Sequence, residues 1–180
     1  MPNLYHHRLQ LPIDFEPVYL TPSESQHNHY DLSLLPENFK NWFNQLGVKI
    51  IGGEQFVLDP DKRKTYYIHI DNPANKNHVK INYVFSDKDY NMNWYELKPN
   101  CSPTTAVTKI GTTYQWAKTE DCNLLHSAVV GKPSLINASV LHTVEPVDSI
   151  RYCFSFTLAN LSDENISWDN AVEIFKPYLE

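Results

Sequence analysis

The chain has 180 residues, which is enough for one domain with a sizeable core. It carries 15 Lys and Arg against 21 Asp and Glu, so an acidic chain of net charge −6 is a poor partner for nucleic acid or an anionic membrane surface. Only five Gly are present, and no GxGxxG or GxxxxGK[ST] phosphate loop occurs. No apolar stretch approaches the roughly 18 residues of a membrane span.

The cysteines and the first residues indicate a cytoplasmic protein. The chain has three widely spaced cysteines, Cys101, Cys122 and Cys153, with no CxxC pair. An odd, scattered set argues against a disulfide framework and against a structural zinc knuckle. The first 15 residues lack the apolar core of a secretory signal. We therefore expect reduced thiols and a cytoplasmic location.

The first predicted element is a helix at about 36–46. Phe39, Trp42 and Phe43 lie on one stripe of it, and Gly47 follows as a stop signal. A second helix is predicted at about 167–176, where Ser167 is a suitable N-cap. We expect these two helices to flank a single domain over 1–180 whose core spans about 48–158.

Between the helices, short segments rich in β-branched and aromatic residues predict strands. They are 48–51, 55–58, 65–70, 79–85, 94–97, 112–117, 124–130, 134–136 and 150–158. Gly52 and Gly53 predict a hairpin turn between the first two. No helix separates consecutive strands, which argues against a parallel α/β fold. The predicted fold is mainly β, a jelly roll or sandwich with a few flanking helices.

Most of the eight histidines carry no distinctive pattern. Four in polar, turn-like sequence are predicted to be solvated: His6, His7, His27 and His29. Two are predicted to be structural: His78, in a turn before a strand, and His126, in an apolar strand.

His69 and Asp71 differ from these because they lie two residues apart at the end of a predicted strand. Side chains at i and i+2 point to the same face, so an imidazole and a carboxylate converge there. The alternative is a histidine at a strand end with Asp71 capping a turn formed with Asn72 and Pro73.

A second segment supplies a further histidine and an arginine. His142 ends a further short strand, and Arg151 lies nine residues later at the start of the next one. Arg151 shares a strand face with Cys153 and Ser155, and an Arg beside apolar neighbours needs an anionic partner. The alternative is a salt bridge with Asp148 or Glu145. Two histidines and one carboxylate form the facial triad of non-haem Fe(II) oxygenases, and an Arg suits the carboxylate of a 2-oxo acid.

On these residues the chain resembles the Fe(II)/2-oxoglutarate-dependent dioxygenases, in their prolyl 4-hydroxylase-like branch. The resemblance rests on His69-Ile70-Asp71-Asn72-Pro73 and on His142-Thr143-Val144-Glu145-Pro146 with Arg151-Tyr152. It implies a double-stranded β-helix, which is a jelly-roll or cupin-like barrel. It also implies Fe(II) held by the catalytic residues His69, Asp71 and His142, with 2-oxoglutarate and O₂ as co-substrates.

The resemblance further implies that Arg151 binds the distal carboxylate of 2-oxoglutarate. The resemblance also implies a contact to that carboxylate from a Tyr on the strand after His69 and Asp71. Strand alternation selects Tyr83 for this role, with Phe85 as the alternative. Asn82 and Tyr67 are weaker candidates for the pocket. The implied activity is hydroxylation of a peptidyl side chain, a free amino acid or a small metabolite, and the oligomeric state is not predicted.

Two other functions are compatible with the same barrel. A cupin-type metal enzyme requires HxH, a later Glu and Gly-rich flanks, whereas this chain has His-Ile-Asp and little Gly. A non-catalytic jelly-roll binding domain would be indicated by loss of a ligand residue, and all four of the proposed residues are present.

Overall fold

A computed structural model describes residues 3–20, 26–62, 67–71, 78–108, 111–131 and 133–180. Within these ranges, the chain forms two α-helices, α1 (Glu37–Gln45) and α2 (Trp168–Phe175). The first six strands are β1 (His6–Arg8), β2 (His27–His29), β3 (Val48–Leu58), β4 (Ile68–Asp71), β5 (Val79–Ser86) and β6 (Asn91–Leu97). The other six are β7 (Thr104–Val107), β8 (Thr113–Ala117), β9 (Cys122–Val129), β10 (Ser134–Asn137), β11 (Leu141–Val144) and β12 (Arg151–Asn160).

The strands form two six-stranded antiparallel sheets. The first sheet has the order β1-β10-β5-β12-β3-β2, and the second has the order β7-β8-β4-β11-β6-β9. From β3 to β6, and again from β9 to β12, successive strands alternate between the two sheets. The protein is therefore mainly β, as predicted, and its architecture is consistent with a β-sandwich.

The first sheet is buried on both faces. Alternate residues of β12 pack into different hydrophobic clusters on its two sides. Phe154 and Phe156 point to one face, where they pack with residues of α1 and α2, including Phe43 and Phe175. Cys153 points to the other face and packs with Trp94 of the second sheet. The helices therefore cover the outer face of the first sheet. The inner face of that sheet packs against the second sheet.

Both predicted helices are confirmed. Pro36 precedes α1, and Gly47 follows it with φ +79°, a left-handed conformation that suits glycine. Ser167 caps α2, since its Oγ accepts a hydrogen bond of 3.2 Å from the amide of Asn170. None of the helices within the described ranges is long and apolar enough to cross a membrane.

The predicted hairpin at Gly52 and Gly53 is wrong, because β3 runs without interruption through both. A Cβ at Gly53 would lie 2.9 Å from the carbonyl oxygen of Tyr30, and the Tyr30 amide donates a 2.8 Å hydrogen bond to the Gly53 carbonyl. Gly53 thus serves close backbone approach rather than a turn. The strand predicted at 65–70 is observed from Ile68. Tyr67 precedes the strand, and residues 65 and 66 lie outside the described ranges.

Candidate metal centre

The structure brings the three predicted ligands together between the sheets. β4 and β11 are antiparallel neighbours in which His69 lies directly opposite His142. Asp71, two residues beyond His69, shares its face. One ligand atom from each of these residues lies within 4.8 Å of the others. This group could hold a metal ion.

Each histidine is oriented through its Nδ1 atom. His69 Nδ1 donates to the carbonyl of Tyr67 at 2.9 Å, and His142 Nδ1 donates to the carbonyl of Val140 at 2.8 Å. Because a carbonyl only accepts, each Nδ1 carries the proton, and in the neutral ring Nε2 keeps its lone pair. Nε2 of His69 lies 3.4 Å from Oδ1 of Asp71, so the free nitrogen faces the carboxylate.

The charge states also suit a metal. Burial, reinforced by the neighbouring His69, lowers the pKa of His142 to about 4, so its imidazole is neutral at neutral pH. Burial opposes ionisation of Asp71, but Lys80 and the two histidines outweigh it and hold the pKa of the carboxyl well below its usual value. Two imidazole nitrogens and one carboxylate are a donor set for a divalent transition metal.

Sequence reasoning missed the charged group beside this triad. Lys80 of β5 is only 4% exposed, and its Nζ lies 2.9 Å from Oδ2 of Asp71 and 2.6 Å from Oε2 of Glu54. The other oxygen of Glu54, Oε1, lies 3.1 Å from Nε2 of His27. His27, predicted to be solvated, is in fact largely buried in this network. The sequence signal for it was the lysine inside the largely apolar predicted strand 79–85.

The network holds its charges at neutral pH. Burial disfavours the ammonium of Lys80, but Asp71 and Glu54 outweigh that penalty and raise the pKa of Lys80 above its usual value. Burial likewise disfavours the Glu54 carboxylate, yet Lys80 and the hydrogen bond from His27 lower its pKa to about 2. Lys80 is therefore a fixed positive charge between two carboxylates.

The triad lines a cavity of about 410 Å³ between the sheets. Arg151 lines the same cavity, as do the two weaker sequence candidates Asn82 and Tyr67. Arg151 is 3% exposed, its Nε atom is buried without a partner, and its guanidinium makes no ion pair with any residue in the described ranges. A buried guanidinium without an anion is costly, which points to a ligand that supplies one.

The alternative salt bridge for Arg151 is wrong. Asp148 instead pairs with Lys88 at 2.6 Å and accepts a hydrogen bond from Tyr90, also at 2.6 Å. Glu145 accepts a 2.8 Å hydrogen bond from the amide of Asn91. Both carboxylates in the connection between β11 and β12 therefore bind residues other than Arg151.

The structure contradicts the placement of Tyr83, and of Phe85, beside Arg151. Tyr83 lies opposite Phe154 in the β5–β12 pair, on the face that packs against the helices. Its ring packs against Phe15 with centroids 4.8 Å apart, and it does not line the cavity. The apolar face of β5 points to the helical layer, because Lys80 and Asn82 alternate with it and point to the site.

The remaining histidines are distributed differently from the prediction. His6 is buried rather than solvated and stacks on Trp94 at 5.3 Å. His78 is buried and His29 exposed, as predicted. Asn72 and Pro73, the predicted turn after Asp71, lie outside the described residues. All three cysteines are free thiols.

Comparisons of the chain with protein-family models, with curated proteins and with solved structures found no match.

Proposed function

We propose that this protein is an Fe(II)- and 2-oxoglutarate-dependent oxygenase that hydroxylates an organic substrate. One observation carries the proposal: a two-histidine, one-carboxylate cluster lines the same cavity as Arg151, which is buried and whose Nε has no hydrogen-bond partner among the described residues. A metal with only three protein ligands keeps open positions for a co-substrate and O₂. An arginine in the same cavity supplies the countercharge for a dicarboxylic co-substrate.

The topology supports a double-stranded β-helix as the fold. Strands β3, β5, β10 and β12 belong to the first sheet, and β4, β6, β9 and β11 to the second. The chain thus crosses between sheets at most steps, as expected when two strands wind together into a barrel. His69, Asp71 and His142 come from the second sheet and Arg151 from the first, so the proposed cavity is the interior of that barrel.

In this proposal His69, Asp71 and His142 hold Fe(II). When bound, the iron supplies the chemistry by which 2-oxoglutarate, O₂ and a C–H bond give succinate, CO₂ and an alcohol. The protein contributes orientation: the carbonyls of Tyr67 and Val140 fix both imidazole rings, as outer-shell partners of metal ligands do.

Arg151 is proposed to anchor the distal carboxylate of 2-oxoglutarate. It lies opposite Leu58 on β3, whereas Glu54, which contacts the Lys80 beside the triad, lies opposite Ser155. Leu58 and Glu54 are four residues apart on β3, which corresponds to about 13 Å along the strand. The Arg151 side chain and a bound five-carbon diacid together are long enough to bridge the distance between Arg151 and the triad. The substrate is proposed to be a peptidyl side chain, an amino acid or a small metabolite. The free thiols favour a cytoplasmic location.

The test is an anaerobic titration of the protein with Fe(II) and 2-oxoglutarate, followed by visible absorption. A 2-oxo acid chelated to facial-triad iron has a weak charge-transfer band that neither component has alone. We expect the band in the wild type and in Arg8→Ala, a control at an exposed arginine paired with Glu180. We expect no band in His69→Ala and a much weaker one in Arg151→Ala at the same concentration.

The other outcomes identify the alternatives. Metal binding without the band in the wild type would favour a cupin-type metal enzyme. A folded wild-type protein that binds no divalent metal would favour a non-catalytic binding domain, and either result would overturn the proposal.

A further inference from the structure

Two carboxylates, not one, lie at the candidate metal centre, and a lysine separates them. Lys80 Nζ contacts Asp71 Oδ2 at 2.9 Å and Glu54 Oε2 at 2.6 Å. The two carboxylate oxygens are therefore no farther apart than the sum of these distances. Both carboxylates are largely buried, and all the elements involved (β3, β4 and β5) are strands rather than loops.

Without Lys80, Glu54 would be a suitable metal ligand. Carboxylate oxygens bind divalent transition metals at about 2.0–2.2 Å, so two oxygens on one ion lie at most about 4.4 Å apart, and rotation of the freed Glu54 side chain toward Asp71 would bring its oxygen within that range. Two adjacent buried carboxylates also attract a cation strongly, because their mutual repulsion has no other compensation. A fourth protein ligand would occupy a coordination position that a facial triad leaves open.

We propose that Lys80 keeps Glu54 out of the coordination shell of the metal and thereby preserves the open positions needed by the co-substrate. Lys80 also occupies Oδ2 of Asp71, which leaves Oδ1, the oxygen facing His69, to bind the metal through one atom. This inference rests on the proposed function. Lys80 is a positioning residue in it, because it acts through Glu54 and Asp71 and not on the substrate.

His27 contacts the second carboxylate oxygen of Glu54. Its Nε2 lies 3.1 Å from Glu54 Oε1, and its ring stacks on Phe56 at 4.4 Å. Glu54 is thus held at both oxygens, one by His27 and one by Lys80. Removing Lys80 alone releases the oxygen nearest Asp71, which is the one that would turn to a metal.

The experiment compares Lys80→Met, Glu54→Gln and the double variant Lys80→Met/Glu54→Gln. Co(II) is the metal probe, read by its visible d–d spectrum, and the Fe(II)–2-oxoglutarate band reports the open positions. In Lys80→Met we expect Co(II) to bind more tightly, with an altered spectrum, because Glu54 becomes a fourth ligand, while the 2-oxoglutarate band is lost. Glu54→Gln should keep the band, and the double variant should regain it.

Regain of the band in the double variant is the decisive result, because a merely structural role for Lys80 predicts further loss. Lys88→Met is the matched control, since that lysine is exposed and pairs with Asp148 on the surface. Lys80→Gln keeps a hydrogen-bond donor and should show the same changes if Lys80→Met does not fold.

Failure of this inference differs from failure of the proposed function. A wild-type protein with the band, together with Lys80 variants that keep both the band and the Co(II) spectrum, would overturn the role of Lys80 alone. A double variant without the band, when Glu54→Gln retains it, would do the same. Absence of the band in the wild type would overturn the oxygenase and, with it, this inference.

Discussion

His69 and His142 lie opposite each other on neighbouring antiparallel strands, with ring centroids 4.6 Å apart. Each ring is held by a hydrogen bond from Nδ1 to the carbonyl two residues before it. The pair therefore leaves both Nε2 atoms facing Asp71, at 3.4 Å from Oδ1 for His69 and 4.0 Å from Oδ2 for His142. The approach of His142 to His69 comes from the pairing of β11 with β4, two strands that are far apart in sequence.

Replacing His142 by Ala should abolish metal binding. The variant loses one of only two imidazole ligands, and the loss should exceed the roughly 10–100-fold that outer-shell changes cost. Calorimetric titration with Co(II) measures it. His29→Ala, at an exposed histidine of β2, should bind as the wild type does. Unchanged Co(II) affinity in His142→Ala would remove His142 from the site.

Replacing Arg151 by Ala should weaken 2-oxoglutarate binding by about 2–5 kcal/mol, because a buried carboxylate would lose its charged partner. Co(II) affinity without 2-oxoglutarate should stay within a few-fold of the wild-type value, since Arg151 contacts none of the three proposed ligands. Competition binding with and without 2-oxoglutarate separates the two effects. Equal 2-oxoglutarate affinities for variant and wild type would exclude Arg151 as the anchor.

Replacing Tyr83 by Phe should leave 2-oxoglutarate binding unchanged. The Tyr83 hydroxyl is buried in the aromatic core and has no hydrogen-bond partner in the described part of the chain. Removing an unpartnered buried hydroxyl is neutral or stabilising, so the free energy of unfolding should be equal or slightly higher. Urea denaturation and a 2-oxoglutarate titration check both expectations. Weaker binding in this variant would mean that Tyr83 contacts the ligand after all.

Replacing Gly53 by Ala should lower the free energy of unfolding by about 1–3 kcal/mol, because the new methyl group overlaps the backbone at Tyr30. Gly52→Ala is the matched control on the same strand. A Cβ there would meet Thr157 at 3.7 Å, an ordinary contact. Urea denaturation of both variants tests the difference. Equal stabilities would contradict the close approach of Tyr30 to β3.

Stability should fall as the pH drops below about 6.5, and His6 should contribute to this fall. Burial, with the nearby His126, His7 and Arg8, lowers the pKa of His6 to about 4 from its ordinary 6.5. Between these values the unfolded state binds the proton and the folded state does not, so acid favours unfolding. Stability from this source is complete above pH 6.5 and is progressively lost down to about pH 4.

His6→Phe isolates this contribution because it keeps a ring against Trp94 and removes the titrating group. The difference in unfolding free energy between the variant and the wild type should change with pH between about 6.5 and 4, in favour of the variant at low pH. Urea denaturation across that range measures it. A difference independent of pH would contradict the buried, neutral state of His6.

Local sequence patterns predicted the parts of the structure that depend on neighbouring residues. The cap at Ser167 and the stop at Gly47 define helix ends through their own backbone geometry. The period of two along β12 correctly placed Arg151, Cys153 and Ser155 on one face. The spacing of His69 and Asp71 placed them on one side of β4.

The same alternation could not show which face of a strand meets the site. In β5 the alternation separated Tyr83 from Lys80, but the placement of Tyr83 at the carboxylate was wrong, because the helices bury the face of β5 that carries Tyr83. Gly53 was likewise misread, since nothing local reveals that Tyr30 packs onto β3 at that position.

The sequence by itself determined the two helices, most of the strands, the mainly β class and the triad candidates, because these follow from short-range periodicity and residue chemistry. Only the tertiary structure decided that Lys80 joins Asp71 to Glu54, which lies 26 residues from Lys80 in sequence, and that Arg151 forms no ion pair with the residues the structure describes. Buried charges take their partners from whichever strands pack beside them, and strand order in a sheet does not follow from local pattern.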